Sequence, residues 1–188
     1  MGQPKQLLPL AGKAIIRHVA QRALISTCDS VIVVVGYEAD AVTAALAGLP
    51  VHVVLNPIYA EGMSTSLRAG VAALPNHADS VVVLLGDQPD IDPTMISALI
   101  AARRETAAPV VMATYGDQPS NPVLFGRETF ADLMTVTGDQ GGRAVVRAYR
   151  DRLITVPAAA STPPEDIDTE AAYRALLTRW AKRTTDDG

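Results

Sequence analysis

Three charged residues, Lys5, Asp87 and Asp168, could together handle a phosphate group. Asp87 follows an apolar run, 81–85, and Gly86. Open α/β sheets place their ligand sites at this position, the carboxyl end of a strand. Aspartates supply the hard oxygens that Mg²⁺ prefers, and Mg²⁺ usually takes only one or two protein carboxylates. A lysine adds a point charge for phosphate oxygens. These residue types therefore indicate metal-assisted phosphate chemistry.

Each of these residues also has a structural interpretation. Aspartate is common in strand-to-helix turns, and a lone lysine in a loop is usually solvated surface. Asp166 and Asp168 lie on one side of an extended segment, but Asp168 is also well placed to cap a helix starting at Thr169. Gln88 and Pro89 favour a functional role only slightly, because Pro89 stiffens the turn that aims the carboxylate. From the residues alone, both interpretations stay open.

Two glycine-bearing segments are further candidates. Gly62, Met63 and Ser64 precede a predicted helix, and a helix amino terminus with hydroxyl groups can bind an anion. A simple serine cap by Ser64 explains the same residues. The second segment, 138–143, reads Gly-Asp-Gln-Gly-Gly-Arg. Its glycines make a tight turn or let the backbone approach a ligand closely.

The elements that must position these residues alternate between strand and helix patterns. This alternation predicts a three-layer α/β/α sandwich with a mainly parallel sheet. The opening residues 1–12 contain two prolines and no alternation, which predicts a loop. Asp92-Pro93 predicts the cap and first residue of a helix. The predicted strands are 31–35, 51–55, 81–85 and 109–114.

Composition narrows the function classes. The chain has 188 residues, with 16 Lys plus Arg against 20 Asp plus Glu, and no basic stripe with interleaved aromatics, so nucleic acid is not expected as a principal partner. The single cysteine, Cys28, excludes an internal disulfide framework, and His18, His52 and His77 lack metal-ligand spacing. No signal peptide or membrane-length apolar run is present. We expect a soluble, cytoplasmic chain with no membrane partner, one domain over 1–182, and a frayed polar tail over 183–188.

Together these segments resemble the MobA-like nucleotidyltransferase family, and within it the molybdenum cofactor cytidylyltransferases. The order and spacing of the motifs agree over nearly the whole chain. The matching segments are Met-Gly-Gln-Pro-Lys-Gln-Leu-Leu-Pro-Leu at 1–10, Glu-Gly-Met-Ser-Thr-Ser-Leu-Arg-Ala-Gly at 61–70, Gly-Asp-Gln-Pro at 86–89, Asn-Pro-Val-Leu-Phe at 121–125, Gly-Asp-Gln-Gly-Gly-Arg at 138–143 and Asp-Ile-Asp-Thr at 166–169.

The resemblance implies a Rossmann-like sheet of the nucleotide-diphospho-sugar transferase type. It also implies transfer of CMP from CTP to a molybdopterin-type acceptor, with release of pyrophosphate. Lys5 would pair with the triphosphate as a catalytic residue beside Asp87, and Asp87 and Asp168 would hold Mg²⁺. The residues that the resemblance implies for nucleotide or substrate binding are Gly62, Met63, Ser64, Ser66, Gln88, Pro89, Asn121, Gly141 and Arg143.

The family signature runs Leu-Ala-Ala-Gly-x-Ser-x-Arg-Met-Gly-x-x-Lys, and this sequence starts at its Met-Gly. The strand and phosphate-binding loop that open the signature therefore precede the first residue given. We expect Met1 to be an internal methionine of a longer protein. A stop codon directly before Met1 in the DNA would contradict this expectation.

Other functions remain open at this stage. A guanylyl or other NTP transferase of the same family is the first alternative. A non-catalytic protein that binds the cofactor and hands it to a molybdenum hydroxylase, or to its maturation factor, is the second. A dehydrogenase is disfavoured because no Gly-x-Gly-x-x-Gly follows any predicted strand.

Overall fold

Strands and helices alternate along the chain, and this confirms the predicted α/β class. The computed structural model describes residues 4–186, and for 183–186 the backbone alone. Its strands are β1 (Pro9–Leu10), β2 (Lys13–Ala14), β3 (Ile32–Val35), β4 (His52–Leu55), β5 (Ser80–Val83), β6 (Val110–Tyr115), β7 (Gln118–Gly126) and β8 (Leu153–Pro157). Its α-helices are α1 (Ile15–Ile25), α2 (Ala39–Ala45), α3 (Met63–Ala72), α4 (Pro93–Thr106), α5 (Phe130–Leu133), α6 (Arg143–Ala148) and α7 (Glu170–Asp186).

The largest sheet has four strands in the order β5-β7-β6-β8. β7 runs antiparallel to both neighbours, whereas β6 and β8 are parallel. The strand at 81–85, expected in a mainly parallel sheet, therefore has an antiparallel neighbour in β7. The cause is the two-residue turn Gly116-Asp117, which joins β6 to β7 as a hairpin and returns β7 between β6 and β5. A turn this short can join only antiparallel strands.

Helices cover both faces of this sheet, as the three-layer prediction requires. Successive residues of a strand point to opposite faces, and β6 shows this directly. Val111 and Ala113 pack in one cluster with Leu99 of α4, whereas Val110 packs in another with Val145 of α6. The helices α3 and α5 contribute to the second cluster as well. One face is therefore closed by α4 and the other by α3, α5 and α6.

A separate parallel ribbon is formed by β3 and β4. Within residues 4–186, neither of its strands pairs with β5. Two helices nevertheless link the ribbon to β5. On α1, Ile16 packs with β3, and its Cδ1 lies 3.1 Å from where a Cβ on Gly86 would stand. On α3, Gly70 approaches Val34 of β3, while Val71 packs beside β5. The ribbon and β5 thus share helices but no ladder, and β5 is half-buried along its length.

The opening residues form a short hairpin rather than the predicted loop. β1 pairs with β2 through the register Pro9↔Ala14 and Leu10↔Lys13. The two residues between them, Ala11 and Gly12, have φ values of 45° and 78°. Two positive φ values in succession are the requirement of a tight two-residue hairpin turn. A 3-10 turn over Lys5–Leu7 precedes the hairpin.

The last helix, α7, anchors this hairpin. Leu10 and Ile15 pack with Ile167 and Leu176, all of them buried, and the hydroxyl of Tyr173 donates to the carbonyl of Pro9. The helix continues to Asp186, inside the segment predicted as a frayed tail, and 187–188 lie outside the described residues. No helix in the described part of the chain is long and apolar enough to cross a membrane.

Candidate functional site

Asp87 stands in the turn between β5 and α4, at the position predicted for it. The helix α4 begins as the sequence predicts, because the Asp92 carboxylate accepts a hydrogen bond of 2.8 Å from the Thr94 amide and Pro93 is the first helical residue. Gln88 and Pro89 are buried, and the Asp87 side chain is partly buried. The turn therefore holds the Asp87 carboxylate at the carboxyl end of β5, next to buried residues.

The surroundings of Asp87 are negative. Burial raises the pKa of its carboxyl group above the usual 3.8, and the charge of Asp166 raises it further. Asp168 adds to this effect more weakly, and Lys5 opposes it. A pKa raised by neighbouring carboxylates is a property of sites that bind a cation.

Lys5 and Asp168 are in direct contact. The Lys5 ammonium donates to Asp168 Oδ1, and this hydrogen bond is the main reason that the pKa of Lys5 is raised. Asp168 is not the cap of α7, because the Thr169 hydroxyl accepts the hydrogen bond from the Ala172 amide instead. The structure therefore brings the two predicted residues together and removes the capping interpretation of Asp168.

Asp166 is a member of this group that sequence reasoning did not assign to the site. Its Oδ1 accepts a hydrogen bond of 2.7 Å from Gln88 Nε2, across 78 residues of sequence. The Asp-x-Asp spacing of Asp166 and Asp168 was the available signal, and it did not distinguish the two carboxylates. Within the described residues, no three His, Cys, Asp or Glu side chains are arranged to hold a metal ion. A site for Mg²⁺ here would use one or two carboxylates, which is its usual number.

The two glycine-bearing segments also meet. The Met63 amide donates to Asp139 Oδ1 at 3.1 Å, so Asp139 caps α3 in place of the predicted Ser64. Gly62 has φ 113°, and a Cβ there would lie 2.8 Å from Asp139 Oδ1 and 2.9 Å from the Gly138 backbone. A Cβ on Gly141, which has φ 51°, would lie 3.3 Å from the Met63 sulfur. Gly62 thus permits a contact that a side chain would prevent, and Gly141 adopts a backbone conformation that favours glycine.

Asn56 stabilises the first turn of α3 through hydrogen bonds. Its amide nitrogen donates to Thr65 Oγ1 at 2.8 Å and to Ser66 Oγ at 3.0 Å. Asn56 and Thr65 are buried, as is Ser64. Among the described buried side-chain atoms, Ser64 Oγ has no hydrogen-bond partner. Met63, by contrast, is 52% exposed. The first turn of α3 therefore presents an apolar side chain to solvent, while its polar side chains are buried.

The third predicted segment, 121–125, joins the same group at one end. A Cβ on Gly142 would lie 2.6 Å from Phe125 Cζ, so the glycine-rich turn packs directly on β7. Asn121 lies in β7 two residues beyond the registered pair Val83–Val123, at the end of β5 that leads to the turn of Asp87. Arg143 is exposed at the start of α6. Among the described residues, no hydrogen bond joins the glycine-bearing segments or β7 near Asn121 to Asp87, Asp166 or Asp168.

A cavity of about 330 Å³ lies between α5 and α6. Neither Asp87, Asp166 nor Asp168 lines it, so its position does not mark the charged site. Gln140 connects it with the glycine-rich turn, and Gln140 Oε1 accepts a hydrogen bond from Arg147. The lining residues are Asp132, Thr135, Val136, Thr137, Gln140, Ala144, Val145 and Ala148.

Comparison with known proteins supports one family. The model of the MobA-like NTP transferase domain matches residues 1–153. This match includes Met1, Gly2 and Gln3, which belong to the predicted signature but lie outside the described residues. It also includes Lys5, Asp87 and both glycine-bearing segments, and it ends before Asp166.

Similar proteins cover nearly the full chain. The nicotine blue oxidoreductase of Paenarthrobacter nicotinovorans is 32% identical over 92% of this chain and 88% of its own length. The crystal structure of Rv0371c from Mycobacterium tuberculosis H37Rv is 31% identical, covers 95% of this chain and 90% of that chain, and has a TM-score of 0.84. A structure of Rv0371c in complex with manganese is 30% identical, covers 94% and 93%, and has a TM-score of 0.82.

Proposed function

Because this chain belongs to the MobA-like NTP transferase family, we propose that it transfers CMP from CTP to a molybdopterin-type acceptor and releases pyrophosphate. The observation that carries the proposal is the group of Lys5, Asp87, Asp166 and Asp168 at the carboxyl end of β5. Burial and the charges of Asp166 and Asp168 raise the pKa of Asp87, and Lys5 donates a hydrogen bond to Asp168. Such a group suits a substrate that brings both a divalent cation and phosphate oxygens.

The donor set fits Mg²⁺. Asp87 is one proposed ligand, since it is fixed in the turn after β5. Asp168 is the second ligand that the family resemblance implies, whereas the effect on the pKa of Asp87 favours Asp166. Comparing Asp166→Asn with Asp168→Asn decides between them, because only the true ligand should weaken Mg²⁺ binding strongly. When bound, Mg²⁺ would offset charge that develops on the phosphate oxygens.

Lys5 supplies a positive charge to the proposed site. Its ammonium pairs with Asp168, and its side chain is 36% exposed. The same ammonium can donate to a phosphate oxygen of the nucleotide. Lys5 therefore exchanges a carboxylate partner for a phosphate partner when the nucleotide enters.

The glycine-bearing segments form the proposed acceptor side. The turn at Gly62, Met63 and Ser66 meets the turn at Gly141 and Arg143 through the hydrogen bond from the Met63 amide to Asp139. The second turn packs on β7, the strand that contains Asn121. A phosphate oxygen of the acceptor would attack the α-phosphorus of CTP in line. The bond from the α-phosphorus to the bridging oxygen breaks, and pyrophosphate leaves with the electron pair. The protein positions the reactants and needs no nucleophile of its own.

Pyrophosphate release by the purified chain tests this proposal. We expect release with CTP, Mg²⁺ and molybdopterin, and its loss in Asp87→Ala. Equal or faster release with GTP would assign the chain to guanylyl transfer instead. Acceptor binding without release from any NTP would favour the cofactor-binding role, with delivery to a molybdenum hydroxylase or its maturation factor.

A second candidate is an oxidoreductase, because a protein named nicotine blue oxidoreductase is 32% identical over nearly the whole chain. This activity predicts that the chain catalyses a redox reaction of nicotine blue. The same Asp87→Ala variant separates the candidates, since it removes the proposed cation ligand. Redox turnover of the dye that persists in this variant, without pyrophosphate release by the unaltered chain, would replace the transferase proposal.

A further inference from the structure

We propose that Arg179 of α7 is a positioning residue for the cation site, acting through Asp90 and Glu165. The inference rests on the proposed function in one respect, namely that Asp87 and a carboxylate of the segment 165–168 are the cation ligands. Arg179 would touch neither the cation nor a substrate. It would set the spacing of the two segments that carry the ligands.

The contacts of Arg179 join those two segments. One guanidinium nitrogen lies 3.2 Å from Asp90 Oδ2, and the other lies 3.1 Å from Glu165 Oε2. Asp90 is three residues after Asp87, and Glu165 directly precedes Asp166. A single planar group therefore spans from the turn after β5 to the acidic segment before α7. Arginine suits this task because its fork of donors reaches two carboxylates at once.

The Asp90 end of this bridge is firmly held. Its side chain is only 15% exposed, and a carboxylate with little access to water needs partners. Arg179 contacts one oxygen, and the indole nitrogen of Trp180 donates to the other at 2.9 Å. Trp180 in turn packs edge-on against His18. Two neighbouring residues of α7 thus fix Asp90, and with it the end of the turn that carries Asp87.

Arg179 would oppose the repulsion between the carboxylates of the two segments that it joins. Asp166 lies 2.7 Å from the side chain of Gln88, the residue next to Asp87, so two carboxylates stand where the two segments meet, and their like charges repel when both are ionised. The hydrogen bond from Gln88 to Asp166 opposes this separation, and Arg179 adds a positive charge that attracts both segments. Without Arg179, the ligand-bearing segments would rest farther apart before a cation arrives.

Binding of Mn²⁺ alone to the full chain tests the inference, measured by calorimetry and by the emission of Trp180, the single tryptophan. We expect Arg179→Met to bind Mn²⁺ about tenfold more weakly, the lower end of the loss seen when outer partners of metal ligands are removed. Arg179→Lys should recover part of the affinity. Arg174→Met is the matched control, because Arg174 lies on the same helix and, among the described side chains, pairs with Glu170 of that helix.

Thermal unfolding separates positioning from simple stabilisation, because a variant that keeps its unfolding temperature but binds Mn²⁺ more weakly has lost positioning alone. Glu165→Gln removes the negative charge of one arm of the bridge at an exposed residue, so it keeps the packing of α7 and should still weaken Mn²⁺ binding. Unchanged affinity in Arg179→Met and Glu165→Gln would overturn the inference while leaving the proposed function intact. Absence of Mn²⁺ binding by the unaltered chain, or binding that Asp87→Asn does not affect, would overturn both.

Discussion

Two pairs of segments meet in the candidate site, and hydrogen bonds between residues far apart in the sequence join each pair. Gln88 donates to Asp166 over 78 residues, and the Met63 amide donates to Asp139 over 76 residues. The first pair brings like charges together, and other side chains must hold it. The second pair depends on glycine backbone in a region that other residues avoid.

The difference predicts opposite responses to substitution. In the carboxylate pair, a neutral residue of the same shape should keep the fold and remove the chemistry. In the glycine pair, any added side chain should disturb the fold first and the chemistry through it. Four predictions test this contrast, from the largest expected effect to the smallest.

Asp87→Asn should abolish most of the activity without unfolding the chain. We expect pyrophosphate release to fall on the order of 10²–10³-fold, the range for removing one group that stabilises developing charge. Circular dichroism should remain that of the unaltered chain. Asp117→Asn, in the exposed turn between β6 and β7, is the control and should retain full activity. If Asp87→Asn keeps its activity within twofold of that of the unaltered chain, the expectation that the carboxylate pair carries the chemistry is wrong.

Gly62→Ala should lower the free energy of unfolding, measured in urea, by about 1–3 kcal/mol, because φ is 113° and the new Cβ would meet Asp139 and Gly138. Gly48→Ala is the matched control. Gly48 has φ 79°, but a Cβ there would have no neighbour within 4 Å. The loss in Gly62→Ala beyond that in Gly48→Ala measures the close approach alone. Equal losses would show that the contact with Asp139 is not constrained.

Asp139→Ala should cost about 1 kcal/mol of unfolding free energy, the usual effect of removing a helix cap. Asp139→Asn keeps an oxygen that can accept the Met63 amide and should cost less. Asp151→Ala, at an exposed carboxylate, is the reference substitution. We also expect a higher KM for the acceptor with kcat little changed. A loss of kcat alone would place Asp139 with the carboxylate pair instead.

The smallest effect is a pH-dependent gain in stability in Asp87→Asn. The pKa of Asp87 is raised above 3.8 in the folded chain, so its ionisation opposes folding. Stability is lost as pH rises through this raised pKa. The variant cannot ionise here and should therefore be the more stable protein at neutral pH. The difference should vanish as the pH falls toward 3.8, and thermal unfolding across pH measures it.

The sequence predicted those features that depend on neighbouring residues. The start of α4 follows from Asp92 and Pro93 because a cap and its helix are local. The position of Asp87 follows from the apolar run before it. The α/β class follows from the alternation of patterns, since each element leaves its own period in the sequence.

Features that join distant residues were missed. Asp139 caps α3 from 76 residues away, whereas the sequence offers only a local capping candidate, Ser64, beside an anion-binding role for the same residue. Asp166 and Asp168 have similar spacing to Asp87 in sequence, and only the fold shows that one meets Gln88 and the other Lys5. The insertion of β7 beside β5 depends on the two-residue turn at Gly116, whose effect on strand order becomes visible only in the folded chain.

The ribbon of β3 and β4 has a consequence for exchange with heavy water. Amides protected by a ladder on both sides exchange only when a large part of the fold opens, whereas unpaired strand edges exchange through small openings. β6 lies between β7 and β8, but β3 pairs within the described residues only with β4. Deuterium should therefore enter the amides of the ribbon well before those at the centre of the four-stranded sheet. The two sheets should thus differ in the rate of amide exchange.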